Sequence, residues 1–162
     1  MLFPICRKKV SGDKPLPRSV RFETLYAPGT VEAVSYTAGR EVSRAKLETA
    51  GQPAKIRLIP EKTEMQADGH DLIYVAVEIT DAEGRIVPDA ELPLTARLSG
   101  AGVLAGFGTG NPVTAENYMD ERTVTWQGTA QAVLRAGYDP GTLTLTVSGE
   151  NLPEETVELQ IV

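Results

Sequence analysis

Apolar residues recur at alternate positions along this chain while helical periodicity does not, which confines the fold to sheets. In "LIYVAVEIT" the side chains of Ile73, Val75, Val77 and Ile79 share one face. In "TLTLTVS" Leu143, Leu145 and Val147 alternate with threonines, and the C-terminal "TVELQIV" repeats the arrangement with Val157, Leu159 and Ile161. Successive side chains of an extended strand point to opposite faces, so each segment presents one apolar and one polar face. These are half-buried strands of an antiparallel sheet.

Turn formers separate the strands: "DAEGR" after the first, "YDPGT" before the second, and "ENLPEE" between the second and the last. Gly, Pro, Asn and Asp suit backbone reversals at such points. With "AKIRLIP", "LPLTARLSG", "AGVLAGFG" and "GTAQAVLRA" the segments amount to about seven short strands between residues 53 and 162, the spacing of an immunoglobulin-like β-sandwich. "GREVSRAKLETAG" has weak helical character and reads equally well as a strand. Gly51 and Pro53 in "TAGQPAK" interrupt the pattern as a linker does. Before it stand "SVRFETLY", "GTVEAVSY" and "REVSRAKLET", and three strands cannot close a sandwich. The expectation is therefore an all-β chain. Residues 1–50 are the C-terminal strands of an incomplete immunoglobulin-like domain, and residues 53–162 are a complete sandwich. The incomplete part either packs on the following domain or exposes apolar surface that something else covers, and its open edge is a candidate for self-association.

Composition narrows the function classes. At 162 residues the chain is too short for a (β/α)₈ catalytic barrel, which takes about 250. A net charge of -6 argues against a nucleic-acid partner, which needs a basic face, and the cluster Arg7-Lys8-Lys9 reads as a solvated turn. Cys6 has no second cysteine to pair with and reads as a small apolar residue. In "MLFPICRKKVSG" the apolar run precedes the charges, the reverse of a secretory signal, and no stretch approaches the roughly 20 apolar residues of a membrane span. The expectation is a soluble chain with no membrane partner and no visible address.

"YAPGTVEAVSYTAGREVSRAKLETAGQPAKIRL" carries Tyr26, Pro28, Gly29, Val31, Ala33, Val34, Tyr36, Gly39, Val42, Thr49, Ala50, Gly51 and Pro53 in a spacing seen elsewhere. It resembles the junction between the two C-terminal immunoglobulin-like domains of bacterial glycoside hydrolase family 2 enzymes of the β-galactosidase type. The resemblance extends over about residues 8 to 162, through "ADGHDLIYVAVEITDAEGRIVPDAE" and its Asp-x-x-Gly-x-x-Val-Pro hairpin, a hairpin that invasin-like adhesion domains share. In "GFGTGNPVTAENYMDERTVTWQG" the family has Gly-x-Gly-Asn-Gly-Asp-Pro and then Phe-x-Gly. Thr109 and Asn111 depart from that pattern, and so does Trp126-Gln127-Gly128. The resemblance implies that the two catalytic glutamates lie in an upstream barrel absent from this chain. No catalytic residue is carried over, and no cofactor or metal is expected.

The signature loop Gly106, Gly108, Gly110, Asn111, Pro112 and Glu116 admits sharper readings. A phosphate cradle needs a helix after the glycines, and Asn111-Pro112-Val113-Thr114 starts none, so close backbone approach or positive φ in an irregular turn is the expectation. Glu116, Asp120 and Glu121 read as solvated loop acids, because a sandwich end supplies no cleft to separate two carboxyl pKa values. Asn111 with Glu116, or Asp68 with Asp71, are candidate oxygen ligands for a surface cation. His70 reads as an exposed loop histidine. Trp126 and Tyr118 are candidate sugar contacts, though Trp126 is expected in the core, where the family has a buried phenylalanine. The functional expectation is a non-catalytic accessory region that packs against the catalytic barrel and upstream domains of its parent enzyme. A stand-alone carbohydrate-binding or adhesion module is the alternative.

Overall fold

The computed structural model describes residues 25–162, so Cys6, Arg7-Lys8-Lys9 and most of "SVRFETLY" lie outside the described residues. Every regular element among the described residues is a strand. The chain divides into two units, with the boundary between Thr49 and Ala50.

In the first unit β1 (Thr30–Thr37) and β2 (Arg40–Glu48) pair antiparallel. The segment with weak helical character is thus a strand. Val31 stands opposite Leu47, Ala33 opposite Ala45 and Ser35 opposite Ser43, which gives the hairpin one face without charges. Glu32, Arg44 and Lys46 belong to the other face, where Arg44 bridges Glu32 and Glu41, and Lys46 pairs with Glu48. The uncharged face is open to solvent, with Val31 62% and Leu47 76% exposed. A two-stranded hairpin by itself is marginal in water, and among the described residues nothing covers this face.

The second unit is a sandwich of two sheets. The first contains, in spatial order, β3 (Lys55–Pro60), β5 (Leu72–Thr80), β9 (Thr129–Ala136) and β7 (Gly102–Gly108). The other contains β4 (Glu64–Met65), β11 (Leu152–Ile161), β10 (Gly141–Gly149), β6 (Pro93–Gly100) and β8 (Arg122–Val124). All pairs are antiparallel except β4 on β11. The sandwich therefore has nine strands where periodicity showed about seven. β4 and β8 are two and three residues long, too short for an alternation to register.

Alternation decides what lies between the sheets. Ile73, Val75, Val77 and Ile79 are fully buried, as are Leu143, Leu145, Val147 and Leu159, and they belong to one apolar cluster with Leu94, Phe107 and Leu134. Val157 is only half-buried at the edge of that cluster. Each fully buried aliphatic side chain contributes about 1.5–3 kcal/mol.

One charged group is built into the frame. Asp81 is 1% exposed at the end of β5. Its carboxylate accepts from the backbone N–H of Gly51 at 2.8 Å, of Glu83 at 3.1 Å and of Arg85 at 2.8 Å, and from Arg85 Nε at 2.8 Å. It thereby ties the Ala50–Lys55 segment to the β5 hairpin. The Gly51 N–H, then the Arg85 backbone and guanidinium, outweigh burial and lower the carboxyl from 3.8 to about 2. Because the folded pKa is depressed, the stabilisation is present above the ordinary carboxylate range and is lost as pH falls toward the folded value. Asp81→Asn should lower the melting temperature at neutral pH, and the gap to the parent chain should narrow steadily between pH 4 and about 2. Thermal melts across that range check it, and a gap independent of pH contradicts the assignment.

Candidate functional site

The connection from β7 to β9 is where the sequence placed its candidate residues. None of Gly106, Gly108 or Gly110 has positive φ, and no helix follows them, so no anion cradle forms. Gly108 leaves room for the Tyr118 ring, whereas at Gly110 a side chain would make only ordinary contact with Trp126. A Cβ on Gly108 would stand 2.3 Å from Tyr118 Cδ1, and one on Gly110 would stand 3.7 Å from Trp126 Cζ3. The Tyr118 carbonyl also accepts from Phe107 N–H at 2.7 Å, which folds the loop back on β7.

Within the loop, short polar side chains replace the missing ladder. Thr109 Oγ1 accepts from Asn111 N–H at 3.4 Å, Asn111 Oδ1 from Val113 N–H at 3.0 Å, Thr114 Oγ1 from Glu116 N–H at 3.1 Å, and Asn117 Oδ1 from Met119 N–H at 3.1 Å. Glu116 closes the loop: Oε2 accepts from Thr123 Oγ1 and Oε1 from Val124 N–H, both at 2.8 Å. Pro112 is exposed at the tip. Asp120 and Glu121 are exposed, and Asp120 Oδ1 accepts from Asn117 Nδ2 at 3.0 Å. Glu116 faces β8 rather than another carboxyl.

The other candidates have equally local work. Asp68 Oδ1 accepts from the His70 and Asp71 N–H groups at 2.8 Å each, while Asp71 accepts from Lys62 Nζ at 2.6 Å and Gln66 N–H at 2.9 Å. Both carboxyls are held below their ordinary values, Asp68 by the His70 and Asp71 amides and Asp71 by Lys62. The His70 side chain is exposed, and none of its ring atoms bonds a nucleophile among the described residues. No group of three or more His, Cys, Asp and Glu among the described residues is arranged to hold a metal ion.

Trp126 is not in the core as expected. It is half-buried, outside the apolar cluster, because it begins a two-residue hairpin at the seam where the chain passes from one sheet to the other. Trp126 and Thr129 exchange backbone hydrogen bonds of 3.0 and 3.1 Å, and Gln127 and Gly128 take φ of 53° and 71°, the signature of a type I′ turn. A Cβ on Gly128 would meet the Val87 carbonyl at 2.2 Å, so glycine is required twice over. Trp126 lines a hollow of about 160 Å³ with Asn111, Thr114 and Glu116. Glu116 and Val124 also line a neighbouring open hollow of about 410 Å³ that reaches Arg122, Ser148 and Glu150. Tyr118 belongs to neither.

Sequence reasoning missed Thr125, which is 2% exposed. Its Oγ1 donates to the Ala90 carbonyl at 2.6 Å and accepts from Leu92 N–H at 2.8 Å, fixing the floor of the smaller hollow. The second threonine of "TVTWQG" carries no signal of this. Glu116→Ala should destabilise the chain by about 1–3 kcal/mol, since it leaves the Thr123 hydroxyl and the Val124 amide without their acceptor. Denaturant melts check this, and Glu116→Gln should recover part of the loss.

Residues 56–158 match the family described as glycoside hydrolase family 2 C-terminal domain 5. A β-galactosidase of Bacteroides ovatus is 34% identical over 140 residues, which are 86% of this chain and 16% of that protein. A β-glucuronidase of Formosa agariphila is 28% identical over 117 residues, 70% of this chain and 12% of that protein. Among solved structures, a glycosyl hydrolase family 2 member from Bacteroides cellulosilyticus superposes with a TM-score of 0.80 at 36% identity, covering 83% of this chain and 18% of that one. The chain thus spans about a sixth of the length of the first of these relatives. A profile match over most of the chain, with the same fold at this level of identity, places it: the chain belongs to glycoside hydrolase family 2, as a C-terminal β-sandwich region of that family.

Proposed function

We propose that this chain serves as the non-catalytic C-terminal accessory region of a β-galactosidase-like enzyme, acting in domain packing and assembly. The observation that carries the reading is the β1–β2 hairpin, whose uncharged face of Val31, Ala33, Leu47 and Ala45 is covered by nothing among the described residues while its other face is laced with ion pairs. Residues 1–50 are then the last strands of an immunoglobulin-like domain, and strands from upstream in the parent enzyme complete it. The sandwich of residues 53–162 packs against the barrel or a neighbouring subunit. When the upstream strands are absent, the same open face and edge pair one copy of the chain with another.

The chemistry of the carboxylates supports a structural role. Glu116, Asp81, Asp71 and Asp68 each accept backbone N–H groups that the ladders leave unpaired. A glycosidase needs two carboxyls about 5–10 Å apart across the scissile bond, one of them held protonated. No acid of the loop is placed for that work. The purified 162-residue chain should not hydrolyse a chromogenic β-galactoside or β-glucuronide above the buffer rate. Turnover that survives repurification and disappears on Glu116→Gln would overturn the accessory reading.

A further inference from the structure

We propose that the groove along β8, from Trp126 to Arg122 and Ser148, binds a neutral oligosaccharide. The groove is built wholly from residues 91–150 and stands whether or not a catalytic barrel precedes them. A sugar ring presents an apolar C–H face and a rim of hydroxyls, so its site needs an aromatic surface beside hydrogen-bonding side chains. Trp126 supplies the first. Around it Glu91, Asn111, Thr114 and Glu116 supply the second.

These groups have capacity to spare. Asn111 spends only Oδ1 on the loop, and its Nδ2 donates to no protein group among the described residues. Glu91 and Arg122 make no ion pair among the described residues. Glu116 has one hydrogen bond on each carboxylate oxygen, so further lone pairs remain for a hydroxyl.

The site is also organised before any ligand arrives. Trp126 is held by both hydrogen bonds of its I′ hairpin, Asn111 by its own turn and Glu116 by β8. Little ordering entropy is left for a ligand to offset. The hollows of about 160 and 410 Å³ share Glu116 and Val124 and so lie side by side, both open to solvent. That shape suits a short run of sugar units lying across the sheet end rather than one enclosed ring. Charge selects among saccharides: Glu91, Glu116 and Glu150 outnumber Arg122 along the groove, which disfavours a uronic acid.

Trp126 is the only tryptophan of the chain, so its emission reports the site directly. The test is a titration of the 162-residue chain with β-1,4-galactotetraose and, separately, with methyl β-glucuronide, followed by Trp126 fluorescence and by backbone amide shifts. The proposal expects saturable binding of the neutral tetrasaccharide in the millimolar range, with shifts confined to residues 91–126 and 148–150 and weaker binding of the glucuronide. Asn111→Ala and Glu91→Gln should each weaken binding roughly fivefold to tenfold, with unchanged melting for Glu91→Gln and only a small loss for Asn111→Ala, whose Oδ1 holds the Val113 amide, and Tyr118→Ala should leave binding as it was. These milder variants keep the test decisive if Trp126→Ala fails to fold. No saturable change up to on the order of 50 mM, equal binding by the Asn111 and Glu91 variants, or tighter binding of the glucuronide would each overturn the proposal.

Discussion

Closure of two sheets over one apolar cluster is the constraint on which the sandwich depends. Strands β5 and β10 each place an unbroken alternate row of aliphatic side chains between the sheets, and those rows are fully buried. Their burial is the favourable term large enough to offset roughly 1–2 kcal/mol of backbone entropy for every residue ordered. Edges and loops are stable only because this centre is. The β1–β2 hairpin shows the contrast, since its pairing is regular but nothing among the described residues covers its uncharged face.

Once the centre is closed, the remaining cost lies in the backbone groups that leave the ladders at turns. Each must find an acceptor or face water. Here the acceptor is repeatedly an acidic or hydroxyl side chain: Asp81 for Gly51 and Arg85, Asp71 for Gln66, Glu116 for Val124, Thr125 for Leu92. No buried side-chain nitrogen or oxygen among the described residues is left without a partner. This has a functional consequence. The carboxylates that a scan for catalytic acids would single out are occupied in holding turns, while around Trp126 the Asn111 Nδ2 and the Glu91 carboxylate make no hydrogen bond to the frame among the described residues.

Legibility in the sequence followed the length of each signal. The rows in β5 and β10 each span nine residues and were plain, because a period of two repeated four or five times has no helical counterpart. β8 has three residues and its strand character comes from pairing with Pro93 to Thr95, a contact remote in sequence. Gly108 of the loop is required by the Tyr118 ring lying on it, which no spacing rule encodes. Trp126 itself misled: the family's buried phenylalanine at this place pointed to the core, whereas Gln127-Gly128 is a tight I′ reversal that sets the ring at the seam. Resemblance to family 2 glycoside hydrolases, carried by motifs spread from Tyr26 to Gly128, reached further than any local pattern.

The accessory role we propose requires a longer polypeptide, in which further strands cover the uncharged face of the β1–β2 hairpin. The most direct measurement is the size of the native polypeptide in its source cells, by immunoblot with an antibody raised against residues 53–162. A band far above 17.4 kDa is the predicted result, in keeping with relatives of which this chain spans about a sixth. A single band at 17.4 kDa would contradict the accessory role and leave the sandwich to act by itself.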